Sequence, residues 1–453
     1  MADRGGKGGG RIGQRTQLDR DHVMIVAEVQ RYIEERTQGE VIRPCYESFN
    51  LAKIPSTVLS LLGVAQPEHA LSQMVREAPD SRWRPSKVVL LLIDGFGWHH
   101  WLRYAARYDV FNRLTERGAV APLTTVFPST TAAALTSIHS GLTPQEHGLP
   151  EWWVYFDELD TIAASLPFTP LGGRGPDQLL QAGVKPTMLF QARTIYQALA
   201  SARVPSFTFI RGAYARSAYS SVVHKGSTTV PFFNAADLLV NLRQKISEVP
   251  GPAYFFVYWD AFDAIAHTYG PHTPHYEAEL AGFSYLLQRE LIAKIPAQTA
   301  ADVLLLVTAD HGHINVSPRD ALYLNRYPTF VRSLAVSHTG KRILPWGSPR
   351  DLFVRVQEER LPEIASWLAR RLAGRATVMT SDEALRQQLF GLGKCHRHFK
   401  RRVGNLLILP HGNALIWYEH LKGKKFTLRG MHGGLRPDEM LIPLAVANLA
   451  TLQ

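Results

Sequence analysis

Five short stretches of the 453-residue chain bring together carboxylates, imidazoles and hydroxyls. They are Asp94 at the end of SKVVLLLIDGFG, Ser129, Thr130 and Thr131 in FPSTT, Asp263 with His267, Asp310 with His311, and His432 in GMHGG. Hard aspartate oxygens mixed with imidazoles, and no thiolates, make a ligand set for Zn²⁺ or Mn²⁺ rather than a structural zinc finger. Asp263 and His267 are four apart, so on a helical turn both side chains share a face and one cation can sit between them. Asp310 and His311 would point apart on a strand but converge at a strand-to-loop turn, where Gly312 permits unusual backbone angles. His432 lies among Gly430, Gly433 and Gly434, where a backbone can come close to a site. Each stretch also has an ordinary competitor: Asp94 as a helix cap or turn residue, Asp263 and His267 as a surface pair, and the 430s as a plain glycine turn. The combination outweighs its members. His99, His100, His139, His272, His275 and His313 have no comparable companions and read as ordinary polar residues.

Pro128 makes a turn, and the Ala/Leu segment after it predicts a helix with Ser129, Thr130 and Thr131 at its start. One of these hydroxyls is expected to cap that helix. The same N-terminus attracts phosphate, so a nucleophilic hydroxyl would be well placed there.

Those residues need a frame. SKVVLLLIDGFG is a continuous β-branched and leucine run, the pattern of a strand buried on both faces, and similar runs recur at 207–210, 253–260 and 302–312. Helical segments such as Ala278 to Ile295 separate them. The alternation predicts an α/β fold with a mostly parallel central sheet flanked by helices. In open sheets of this kind ligands bind beyond the carboxyl ends of the strands, and three of these runs end in Asp or Asp-His. A near-helical apolar period predicts a first helix over Asp21 to Gln38.

Between His313 and Met431 the pattern shifts to a short αβ alternation, DLFVRV, LPEIASWLARRL, ATVMT, a helix from Ser381 to Leu389, and NLLILP. The expected organisation is therefore a basic disordered tail over 1–20, a catalytic domain over 21–335 and 425–453, and a small inserted α/β subdomain over 336–424. Within the insert, KCHRHFKRR (394–402) reads first as a solvated charge run and alternatively as a grip on an anionic substrate.

Composition narrows the function classes. With 45% apolar and 20% charged residues the chain is globular rather than disordered or fibrous. A net charge of +11, spread along the chain, suits anionic partners such as phosphorylated substrates; nucleic acid is possible but not favoured. Cys45 and Cys395 cannot make a disulfide framework. The apolar runs are far below the ~18 residues that span a bilayer, and the N-terminus has no apolar signal core, so a cytoplasmic location is expected.

Taken in order from about Val88 to His432, the motifs resemble the alkaline phosphatase superfamily, and most closely its type I phosphodiesterase/nucleotide pyrophosphatase branch. The resemblance implies an alkaline-phosphatase-like sandwich, two divalent metal ions, usually zinc, and a threonine nucleophile that is transiently phosphorylated. It assigns Asp94, Asp310 and His311 to the metal that activates the nucleophile, and Asp263, His267 and His432 to the other. Thr131 aligns as the nucleophile, a contact of the first metal, because it is the last residue of an F-P-x-x-T stretch and Thr130 falls on a variable position. GLTPQEHGL resembles the family's G-L-x-P-x-x-H-G, in which Gln145 and His147 are structural. Two departures stand out. Where nucleotide pyrophosphatases carry an Asn three residues after the nucleophile, this chain has Ala134, and where they carry an Asn after HG it has the aromatic run WWVYF (152–156). That run is expected either to remodel the leaving-group pocket or to pack in the core.

The implied activity is two-metal phosphoryl transfer, with cations about 4 Å apart clamping the attacking and leaving oxygens. The substrate class is a small phosphorylated molecule, possibly a nucleotide. A phosphomonoesterase or phosphonate hydrolase would use nearly the same ligands. A sulfatase is disfavoured because FPSTT offers no C/S-x-P-x-R stretch, and a phosphoglycerate mutase because that branch uses serine. The reading from another class is a nucleic-acid-binding or defence component that uses the fold for recognition.

Overall fold

The computed structural model describes residues 27–65, 71, 75 and 85–453. The tail expected over 1–20 and the start of the helix expected from Asp21 lie outside the described residues; the described part of that helix covers 27–34.

Seven strands form the central sheet: β1 (Lys87–Ile93), β2 (Ala119–Thr124), β3 (Ser206–Arg211), β4 (Thr228–Phe232), β5 (Ala253–Trp259), β6 (Val303–Thr308) and β7 (Leu441–Asn448). Their order across the sheet is β2-β7-β6-β1-β5-β3-β4. β6, β1, β5, β3 and β4 are parallel neighbours, and β7 runs antiparallel between β6 and β2. All residues of β1, β5 and β6 are buried, because helices cover both faces and leave no polar side for alternation. The chain thus adopts the expected α/β architecture, and its three most apolar strands lie side by side at the centre.

Register decides what meets at the sheet's edge. Leu92 of β1 pairs with Tyr258 of β5 and with Thr308 of β6, so the three strands end level. Asp94 follows β1 directly, Asp310 and His311 follow β6, and β5 leads into helix α2 (Ala261–Tyr269), which carries Asp263 and His267. Helix α1 (Thr131–Ser140) begins at the FPSTT turn and ends at Gly141, whose φ of 77° only glycine takes without strain. A short antiparallel pairing of Ile314 with Met431 and Asn315 with Gly430 ties the loop after β6 to the glycine-rich stretch of His432.

Residues 346–410 contain a second sheet of four antiparallel strands, in the order Trp346–Ser348, Asp351–Val354, Leu406–Pro410, Ala376–Thr380, with the helix Leu361–Arg371 beside it. Its alternating side chains serve two cores. Leu352, Val354, Leu406 and Ile408 pack with Ile364 and Leu368 of the helix, whereas Trp346, Phe353, Leu407 and Leu409 join the main core. This sheet is therefore welded to the rest of the chain along one face.

The basic run 394–402 departs in part from the solvated surface stretch expected of it. Arg402 is 1% exposed and donates to the carbonyls of Gly148 and Met188, with Glu158 beside it. Arg401 pairs with Asp157 at 2.8 Å, and His398 with Glu158 at 3.1 Å. These contacts tie the 150s segment to the run, whereas Lys394, Arg397 and Lys400 remain exposed as a solvated charge run would be. Gln145 and His147 are structural as expected: the Gln145 carbonyl accepts from His396 N–H, and His147 meets the Ser137 hydroxyl at 3.2 Å.

Candidate active site

The seven sequence-selected residues converge on one spot at the carboxyl end of the sheet. Thr131 is the first residue of α1, and its Oγ1 lies 3.1 Å from His311 Nε2. The same nitrogen is 3.4 Å from Asp94 Oδ1 and 3.2 Å from Asp310 Oδ2. On the other side, Asp263 Oδ1 lies 3.3 Å from His267 Nε2, as the four-residue spacing on α2 requires, and 3.7 Å from His432 Nε2. His311 and His432 stack with ring centroids 3.5 Å apart and join the two halves.

Fixed backbone groups aim each ligand. Asp310 Oδ1 accepts the N–H of Gly95 at 3.0 Å and of His311 at 2.9 Å, which turns Oδ2 towards the site. The Tyr258 hydroxyl donates to Asp94 Oδ2, leaving Oδ1 for the site. Nδ1 of His267 faces the Gly430 carbonyl at 2.8 Å, Nδ1 of His432 faces the Ser129 carbonyl at 2.8 Å and Nδ1 of His311 faces the Gly312 carbonyl at 3.1 Å. In each imidazole Nδ1–H can therefore donate to a carbonyl and Nε2 is free as a lone-pair donor, the arrangement metal-binding histidines use.

The structure adds His313, which the sequence reading had set aside as an ordinary polar residue. Its Nε2 is 2.8 Å from Asp263 Oδ1, and it forms with Asp263, His267 and His432 a set whose ligand atoms all lie within 4.8 Å of one another. Asp94, Asp263 and His311 form a second such set, so Asp263 belongs to both. The signal in sequence was the alternation His311-Gly312-His313 straight after a strand. It was missed because only the pairing of Ile314 with Met431 carries His313 round to Asp263.

A second correction concerns Thr130. It occupies the position before α1 with extended backbone angles, but its side chain makes no capping hydrogen bond, and its buried Oγ1 has no hydrogen-bond partner. Ser129 is taken up elsewhere: its hydroxyl donates to the Gly434 carbonyl at 2.8 Å and accepts Gly433 N–H at 3.1 Å, fixing the turn beside His432.

Electrostatically the residues present fit divalent cations. Three carboxylates and four imidazoles share the site, and buried Asp94 Oδ1 and Asp310 Oδ2 lack any hydrogen-bond donor. Burial, with Asp310 and Asp263 close by, holds the Asp94 carboxyl well above the usual range in the bare protein. Burial alone would raise Asp263 as well, but His267, His313 and His432 around it hold it well below. Burial and neighbouring imidazoles depress His432, so its imidazole favours the neutral form that a metal ligand requires.

Above Thr131 opens a cavity of about 370 Å³ walled by Trp152, Trp153, Trp417, Phe426, Leu428 and Met431, with Glu151 at its margin. Among the described residues, no lysine or arginine lines it. The WWVYF run thus divides: its first two tryptophans face the cavity, while Val154, Tyr155 and Phe156 are buried in the core.

Comparison with known proteins agrees with this picture. A search of curated proteins finds no match. Among solved structures, the fold resembles murine ectonucleotide pyrophosphatase/phosphodiesterase 5, with a TM-score of 0.57 at 19% identity over 79% of this chain and 87% of that one. An inactive form of that murine protein in complex with AMP aligns at a TM-score of 0.56 and 19% identity, covering 79% of this chain and 87% of that one. Phosphonoacetate hydrolase from Sinorhizobium meliloti 1021, in complex with phosphonoformate, aligns at 0.57 and 16% identity over 81% of this chain and 94% of that one. The family model for type I phosphodiesterase/nucleotide pyrophosphatase matches residues 88–435, from the start of β1 past His432. A match of that extent, over a fold and a ligand constellation of this kind, makes the chain a member of the type I phosphodiesterase/nucleotide pyrophosphatase family, a family of phosphoryl-transfer hydrolases.

Proposed function

We propose that the protein is a metal-dependent phosphodiesterase that works through a phospho-Thr131 intermediate on substrates with a planar organic group of about nucleotide size. The observation that carries this reading is the Thr131 hydroxyl, 3.1 Å from His311 Nε2 at the floor of a cavity walled by Trp152, Trp153, Trp417 and Phe426. Asp94, Asp310 and His311 would hold one divalent ion beside Thr131, and Asp263, His267 and His432, with His313 adjoining, the other. When bound, such ions lower the pKa of the nucleophile and stabilise charge on the attacking and leaving oxygens.

The chain's own residues do the positioning. α1 presents its first N–H groups and its positive dipole end to the phosphoryl group. This matters more here because Ala134 supplies no side-chain donor. The tryptophans exclude water from the leaving group and offer flat faces for stacking. A cavity without lysine or arginine suits a diester, which carries one negative charge, better than a monoester dianion, and it argues against a nucleic-acid groove. AMP in the complex of the murine protein and phosphonoformate in that of the bacterial hydrolase are a small phosphate ester and a small phosphonate on the same fold.

The test is a rate comparison at equal concentration of bis(p-nitrophenyl) phosphate and p-nitrophenyl phosphate in protein loaded with Zn²⁺ or Mn²⁺. The diester should turn over faster and a chelator should abolish both rates. A clear monoester preference would move the assignment to a phosphomonoesterase.

A further inference from the structure

Two buried carboxyls at this site take no part in ligand geometry. Glu151 is 1% exposed and borders the same cavity as Thr131 and Thr130. Its Oε2 accepts the backbone N–H of Trp152 and, at 3.3 Å, of Trp153, which fixes the carboxyl at the foot of the tryptophan wall. Its partner is Asp351, fully buried at the start of the strand Asp351–Val354. Asp351 Oδ1 takes the Ser348 hydroxyl, and among the described residues buried Oδ2 has no hydrogen-bond partner. The two carboxyls lie close enough for each to act on the other's ionisation. They pack behind the backbone next to His432: a Cβ built on Gly433 would stand 2.6 Å from Asp351 Oδ1.

Nothing neutralises the pair. The neighbouring cation is Arg350, and it is fully committed. Its Nε and Nη2 donate to Glu439 at 3.0 and 2.9 Å, and its Nη1 to the Ala414 carbonyl at 2.6 Å. Glu439, the other carboxylate facing the pair, is held by that guanidinium and by Gly434 N–H at 3.0 Å. Two neighbouring carboxyls away from water resist ionising together, so when Glu151 gives up its proton Asp351 keeps its own. Burial pushes Glu151 up to about 7, and burial with Glu151 close by raises Asp351 well above its ordinary range. A carboxyl that titrates near neutrality at the edge of a reaction cavity has the protonation range of an acid–base group.

We propose that Glu151, backed by Asp351, is the proton donor to the leaving oxygen, which fits the protein for esters of poor leaving groups such as alkyl and sugar hydroxyls. The role rests on the phosphodiesterase reading above. As the bond from Thr131 Oγ1 to phosphorus forms and the ester P–O bond breaks, the Glu151 proton passes to the departing oxygen, which leaves as an alcohol. Thr131 gives its own proton to solvent. In the second half water attacks phosphorus and gives one proton to Glu151, and Thr131 leaves and regains a proton from solvent. Each group ends as it began.

The test is Glu151→Gln, which keeps the shape and removes the acid, assayed on two diesters. Diphenyl phosphate leaves as a basic phenolate and should lose about 100-fold in turnover. Bis(p-nitrophenyl) phosphate, whose leaving group needs little protonation, should lose less than about tenfold. Equal losses on both would overturn the donor role while leaving the phosphodiesterase reading intact. If the wild type cleaves neither ester, the phosphodiesterase reading fails and the donor role with it. A readout without turnover is the infrared carbonyl band of a protonated carboxyl at neutral pH. It should be present in the wild type and weakened in both Glu151→Gln and Asp351→Asn; its absence from the wild type would also overturn the proposal.

Discussion

The two adjacent threonines, Thr130 and Thr131, give the sharpest separation of a chemical role from a structural one. Thr131→Ala removes the hydroxyl that faces His311 at 3.1 Å. That contact is worth about 1 kcal/mol to the fold, and alanine returns about 0.5 kcal/mol of helix propensity at the first position of α1. Net stability should therefore change by less than about 1 kcal/mol, metal content should hold, and turnover of bis(p-nitrophenyl) phosphate should fall at least about 1,000-fold because the attacking oxygen is gone. Thr130→Ala reverses the pattern expected of a cap. A capping hydroxyl would cost about 1 kcal/mol on removal, but the Thr130 hydroxyl is buried and makes no hydrogen bond, so the change should stay within about 0.5 kcal/mol. Because Thr130 borders the cavity, its turnover can respond, by no more than the tenfold that one hydrogen bond of about 1.4 kcal/mol supplies. Urea melts, elemental analysis and initial rates on the two variants side by side decide the matter. An active Thr131→Ala with a dead Thr130→Ala would place the nucleophile one residue earlier and refute the reasoning.

Three further outcomes follow from the geometry. His432→Ala should lower metal occupancy by inductively coupled plasma analysis, with excess Zn²⁺ or Mn²⁺ recovering part of the rate, because one ligand of several is lost; unchanged metal content would count against the ligand role. Gly312→Ala puts a Cβ 2.0 Å from the Asp438 carbonyl oxygen, so the backbone beside His311 must shift: stability should fall by about 1–3 kcal/mol and turnover by about 100-fold, read from urea midpoints and rates. Glu151 also has a stability signature. Its folded-state pKa of about 7 exceeds its ordinary 4.5, so between those values the folded state binds more protons and stability falls as pH rises. Wild-type stability should drop by on the order of 3 kcal/mol relative to Glu151→Gln from pH 4.5 to 7.5, and parallel stability profiles of the two proteins would show that Glu151 titrates normally.

What the sequence revealed followed from how strongly each segment is constrained. β1, β5 and β6 are buried on both faces and therefore read as unbroken apolar runs, and their shared ending in Asp94, Asp260 and Asp310 pointed to one edge of one sheet. β2 and β7 lie outside the runs read as strands, and each carries a proline, ordinarily a mark against a sheet interior. In the structure Pro122 and Pro443 face each other as register partners, so the two missing donors fall on one rung. His313 and Glu151 were illegible for another reason: each gains its meaning from a partner far along the chain, Asp263 in one case and Asp351 in the other. The charge run 394–402 reads as solvated, as Lys394, Arg397 and Lys400 are, but composition cannot show that Glu158 and Asp157 wait opposite His398 and Arg401. Thr130 has the residue type of a cap and stands at the cap position, yet its side chain does not turn back to the helix.

The central claim is covalent phosphoryl transfer to Thr131, and it is tested most directly by trapping the intermediate. Metal-loaded protein turning over bis(p-nitrophenyl) phosphate should be quenched in acid, digested and mapped by mass spectrometry. The account predicts a phosphorylated peptide with the modification on Thr131, absent from the chelated protein and from Thr131→Ala. Active protein with no phosphorylated residue, or with the label on another side chain, would contradict it.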